Sequence, residues 1–105
     1  MHIDNGNMIL FKPAQNLEVV KTPDKLTDRE LTRAIRDAII AEEGAIKHYE
    51  TVVDATDNAT AKKILQDIAD EEKVHVGELQ KLLSNMLPDE EAKLEEGAKE
   101  VEDKG

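Results

Sequence analysis

Three ionisable residues stand where a helical chain should be apolar. Placed on helical wheels at about 100° per residue, Glu42 falls in the middle of a stripe made by Leu31, Ala34, Ile35, Ala38, Ala45, Ile46, Tyr49 and Val53. Glu72 and His75, about 60° apart around the axis, fall within a second stripe. It runs through Ala61, Ile64, Leu65, Ile68, Leu79, Leu82, Leu83 and Met86. Burying an uncompensated carboxylate costs several kcal/mol, so something must offset the charge. A cation held by the carboxylates does so directly, because it supplies the charge and occupies their lone pairs. The adjacent Glu43 points about 100° away, and Glu71 lies at the margin of the second stripe. Either could form an outer docking point for an incoming cation, although an ordinary surface carboxylate is the commoner case. His48 points away from its stripe, towards solvent.

The elements that must position these groups are marked by their ends. Thr27-Asp28-Arg29-Glu30 reads as a capping box, with Thr27 as N-cap and Glu30 at the third helical position. The helical pattern then continues to about Ala55. Asp57, Asn58 and Thr60 supply a break and caps for a second helix running to about Met86. Pro88 suits the first turn of a third, strongly acidic helix, which Gly97 should weaken and which should fray towards Gly105. Residues 1–26 read as an irregular N-terminal arm. Asn5-Gly6 is a turn signal, and Pro13 and Pro23 interrupt any helix. Leu17–Val20 either pairs as a strand with Met8–Phe11 or lies extended on a partner subunit. The expected organisation is all-α: a helical hairpin over 27–87, then an acidic helix or tail over 88–105.

Two helices bury one stripe each and cannot enclose a core alone, so pairing two hairpins into a four-helix bundle is expected. With the break near residues 56–59, Glu42 stands about 15 residues before it and Glu72–His75 about 15 after. At 1.5 Å per residue both groups lie about 22 Å from the turn. One hairpin thus offers Glu, Glu and His at a shared height, and two offer twice that set. Oxygen donors with imidazole suit a pair of iron or manganese ions. The set matches the known di-iron carboxylate pattern, with a lone Glu on two helices and Glu-x-x-His on the other two.

The segments Ala41-Glu42-Glu43-Gly44-Ala45-Ile46-Lys47-His48-Tyr49 and Ala69-Asp70-Glu71-Glu72-Lys73-Val74-His75-Val76-Gly77-Glu78-Leu79 resemble the two signatures of the rubrerythrin–ferritin superfamily. The nearer resemblance is to its single-hairpin branch, the encapsulated ferritins, over roughly residues 28–96. It implies a ferroxidase centre at a dimer interface, with Glu42 and Glu72 binding or bridging iron, His75 as a terminal ligand and Tyr49 close by. It implies one iron per chain and two per dimer, with Fe(II) and O2 or peroxide as reactants. Further implications are a homodimer or ring of dimers, iron storage or detoxification, and a possible encapsulin shell within the cytoplasm. A rubrerythrin-like peroxide reductase fed by an external donor is the alternative from the same site, and a metal-free helical adaptor the alternative from another class. A tyrosine on a core stripe is most often there for packing. The chain ends in Glu-Val-Glu-Asp-Lys-Gly, unlike the small, apolar targeting peptides or shell fusions usual in that branch.

Composition narrows the remaining classes. The absence of cysteine excludes disulfides, thiolate zinc sites, iron–sulfur clusters and a rubredoxin-type iron centre, and fits a reducing compartment. The chain has 24 acidic against 14 basic residues and a net charge of −10, which disfavours nucleic acid and anionic membranes as partners. The excess is concentrated at 89–105, with eight acids against three bases, while residues 1–26 are balanced at three each. No apolar run approaches the roughly 20 residues that span a bilayer.

Overall fold

The computed structural model describes residues 25–105 throughout and, ahead of them, three short strands. These are β1 (His2–Asp4), β2 (Asn7–Phe11) and β3 (Leu17–Lys21), in an antiparallel sheet of order β1-β2-β3. Met8 pairs with Val20 and Phe11 with Leu17, which is the strand pairing among the two expectations for this segment. β1, pairing Ile3 with Met8, falls in a stretch read from sequence as irregular. The Asn5-Gly6, Pro13 and Pro23 signals lie outside the described residues.

The body is all-α: α1 (Asp28–Ala55), α2 (Ala59–Met86) and α3 (Pro88–Lys104). The capping box opens α1. The Thr27 hydroxyl accepts from the Glu30 N–H at 3.1 Å, and the Glu30 carboxylate accepts from the Thr27 N–H at 3.0 Å. Three residues, Thr56 to Asn58, turn the chain. The Thr56 hydroxyl accepts from the Asn58 N–H at 3.2 Å, and the Asn58 side chain accepts from the Ala61 N–H at 2.9 Å. The last turn of α1 contains no basic residue, and Lys62 of α2 supplies one, donating to the Val53 carbonyl at 2.8 Å. A helix C-terminus and its counter-cation are thereby fixed across the turn.

Leu87 alone separates α2 from α3, at φ −130° and ψ 70°, outside the helical region as a residue preceding proline must be. Asp89, Glu90 and Glu91 crowd the first turn of α3 and Lys104 sits in its last, both favourable to the helix dipole. Glu90 pairs with Arg36 of α1, tying the start of α3 to the hairpin. α3 runs through Gly97 to Lys104. A single interior glycine costs about 1 kcal/mol, and the charge placement together with the Lys93–Glu96 pair opposes it.

Among the described residues few are buried: Thr32 and Ile35 on α1, and Ala69, Val76 and Leu83 on α2. The α2 set recurs every seven residues, the spacing of a seam against one partner helix. Ala69 and Val76 lie outside the stripe drawn from sequence, and this corrects it. The apolar sector of α2 is wider than one neighbour can cover, and only its Ala69–Val76–Leu83 edge meets α1. The other edge is open, with Ile64 53% and Leu82 47% exposed. The chain's accessible surface is 8621 Å² at 11.7 kDa, against roughly 5,900 Å² for a compact monomer of that mass.

Thr27→Ala removes the N-cap acceptor and should lower stability by about 1 kcal/mol, read as a loss in denaturation midpoint. The Thr27 backbone N–H and then its hydroxyl hold the Glu30 carboxyl below its usual 4.5. A lowered folded pKa means that this contribution is present above the ordinary glutamate value and disappears as pH falls through the lowered one. An NMR titration of the Glu30 carboxyl should therefore show a midpoint below 4.5 in the wild type and a return towards it in Thr27→Ala.

Candidate metal centre

α1 brings Glu42, and α2 brings Glu72 and His75, to one place. One ligand atom from each lies within 4.8 Å of the others. The His75 Nδ1 is 3.4 Å from the Glu72 Oε2 and 3.6 Å from the Glu42 Oε2, longer than a good hydrogen bond. The Glu42 Oε2 is shut away from solvent and has no hydrogen-bond partner, although a buried carboxylate oxygen ordinarily has one. His75 stands on the open side, with half of its side chain exposed.

The pattern has a simple local origin. The i, i+3 spacing puts Glu72 and His75 on one face of α2, a turn apart. Glu72 lies between the edge packed on α1 and the open edge, and His75 lies on the open edge itself. The short turn keeps Glu42 level with both. Donors bonded to one ion at about 2.1 Å sit roughly 3 to 4 Å from one another, so this spacing fits a shared ion. Carboxylate oxygens with one imidazole match iron or manganese by donor type. Three side chains alone would not saturate such an ion, and of the three His75 is the one most open to solvent.

The remaining candidates separate from this group. Tyr49 is half-buried, two turns beyond Glu42 on the same face, a rise of about 10 Å. Helical side chains lean towards the N-terminus, so its ring leans back along α1 towards Glu42. It packs beside His48, ring centroids 5.7 Å apart and planes tilted by 59°. Glu43, Glu71 and His48 are exposed and lie outside the three-residue group.

A second constellation was not anticipated from sequence. On the side of the hairpin turned away from the ligands, two donors each bridge two carboxylates. Gln66 donates to Glu50 at 3.2 Å and to Asp70 at 3.0 Å. Lys73 donates to the same two at 2.9 and 3.2 Å. The Lys73 and then the Gln66 hydrogen bonds hold Glu50 below the usual carboxylate range, Gln66 and then Lys73 do so for Asp70, and Glu50 foremost raises Lys73. The spacing Gln66, Asp70, Lys73 was the available signal, since i, i+4 and i, i+3 neighbours share a face. Its partner on α1 could be chosen only with the hairpin in hand.

The Rubrerythrin family model matches residues 11–104. The chain is 45% identical over 74 residues to the encapsulin nanocompartment cargo protein EncC of Myxococcus xanthus, covering 70% of this chain and 57% of that protein. It is 39% identical over 88 residues to a ferritin-like–encapsulin shell fusion protein of Pyrococcus furiosus, covering 84% of this chain and 26% of that one. The chain thus spans between about a quarter and just over half of these two relatives. Among solved structures, the crystal structure of the encapsulated ferritin domain from Pyrococcus furiosus superposes with a TM-score of 0.78 at 37% identity, covering 88% of this chain and 90% of that one. Among the described residues no helix is long and apolar enough to cross a membrane.

The unpartnered Glu42 oxygen has a measurable consequence. In protein stripped of metal by a chelator, Glu42→Met should raise thermal stability by about 1 kcal/mol, because an unsatisfied buried acceptor is removed and its volume kept. An unchanged or lower midpoint would show that the carboxylate is satisfied in the metal-free state.

Proposed function

The chain belongs to the rubrerythrin family, and from that premise we propose that it is a ferroxidase whose di-iron site is completed by a second copy of itself. The observation that carries this reading is the Glu42 oxygen, buried without a donor, facing Glu72 and His75 on the margin of an apolar sector left exposed at Ile64 and Leu82 among the described residues. A two-fold related hairpin would bury Ile64 and Leu82 and bring a second Glu, Glu, His set to the first. Two Fe(II) ions, one per chain, are then the substrate, and manganese would use the same ligands. Each iron gives up one electron. A pair therefore reduces one O2, with two protons from solvent, to hydrogen peroxide, or reduces one peroxide to water.

The residues divide the work. Glu42 and Glu72 attract Fe(II) by charge and hold it by oxygen, and their negative charge also favours the ferric product. His75, on the open edge, binds from the side where the partner and the oxidant arrive. Tyr49 packs the seam towards the turn and narrows access from that end. Similarity to an encapsulin cargo protein and to a shell fusion supports work inside an encapsulin compartment, where a ring of such dimers would release ferric iron for storage.

Anaerobic loading with Fe(II) followed by native mass spectrometry tests the site. The expected result is even-numbered assemblies with one iron per chain, and loss of that iron in Glu42→Ala and in His75→Ala. Full iron stoichiometry in both variants would overturn the assignment. Sustained peroxide consumption with an added reductant, without ferric mineral, would favour a peroxide reductase. That activity would need an external electron donor, since the chain has no cysteine.

A further inference from the structure

The hairpin holds its three ligands by one turn, about 22 Å away, so a small rotation or slide of α2 on α1 would alter their spacing. Among the described residues, every side-chain-to-side-chain hydrogen bond between α1 and α2 belongs to the ring of Glu50, Gln66, Asp70 and Lys73. Gln66 and Lys73 are seven residues apart on α2, about 10 Å along its axis, and both close on the same Glu50 oxygen. Their attachment therefore resists both sliding and twisting. The directions agree: side chains lean towards the N-terminus of their own helix, so Lys73 leans towards the turn and Glu50 leans away from it. Lys73 also directly follows Glu72. Anchoring one residue on the far side of α2 fixes the angle at which its neighbour, about 100° around, presents a carboxylate to Glu42.

We propose that Glu50 and Lys73 are positioning residues for the metal centre, an interhelical clamp that sets the spacing of Glu72 and His75 from Glu42. This rests on the metal-centre reading above. The clamp touches no ligand. It acts through the rigid body of α2, and the ring is exposed, so its removal should cost little in folding.

Cobalt(II) binding to the purified full chain tests the proposal, with affinity and the visible d–d spectrum as readouts. In Lys73→Met, affinity should fall by about tenfold, the low end for groups that orient metal ligands. Its absorption bands should shift, while the melting point of the metal-free protein moves by only a few degrees. Lys73→Arg, which keeps a cationic donor, should restore the wild-type bands, and Lys63→Met, outside the ring, should leave them unchanged. Glu50→Met removes the shared acceptor, opens the clamp from the α1 side and should reproduce Lys73→Met, which decides the matter if that variant folds poorly. Wild-type affinity and bands in both variants would overturn the clamp while leaving the centre intact. Equal cobalt binding by the wild type and His75→Ala would instead overturn the centre, and the clamp with it.

Discussion

A carboxylate oxygen shut away from water with no donor is a local expense that a small helical chain has little surplus stability to carry. Glu42 presents such an oxygen, and much of the architecture is arranged around it. The capping box at Thr27 and the short turn at Thr56–Asn58 fix where α1 starts and stops, and hence its height. α2 returns at that height with a carboxylate and an imidazole on one face. The orphaned oxygen is tolerable because its surroundings form a donor set, and a donor set invites a cation.

The hairpin is two-sided around this point. One face carries polar groups that are fully engaged with each other: two carboxylates, an amide and an ammonium, each acceptor used twice. The other carries apolar residues left open beside ligands that are not saturated. The small core between them, essentially Ile35 against the Ala69, Val76 and Leu83 seam, is too narrow to dictate the pairing of two 28-residue helices. Polar contacts on the closed face add definition, and on the open face Ile64 and Leu82 stay exposed.

Much of this was legible beforehand. The helix ends follow from Thr27, Glu30, Asn58 and Pro88, residues whose capping chemistry is local. The meeting of Glu42 with Glu72 and His75 follows from counting residues either side of one short turn. What depends on neighbours was not legible. Helical periodicity locates an apolar sector on α2 but cannot say which edge meets α1, and it is Ala69 and Val76 that are buried while Ile64 and Leu82 stay exposed. Gln66, Asp70 and Lys73 look like an ordinary solvated face until Glu50 is brought opposite.

The three-residue turn has a kinetic implication. Closing a loop that short costs little entropy, and contacts between sequence neighbours form early in folding. Glu42, Glu72 and His75 lie within a stretch spanning 42 to 75, so one chain brings these side chains together through its own local contacts. The open face beside them is then arranged before any other molecule reaches it. Their grouping is a property of one hairpin, with no need for a second chain to fold around it.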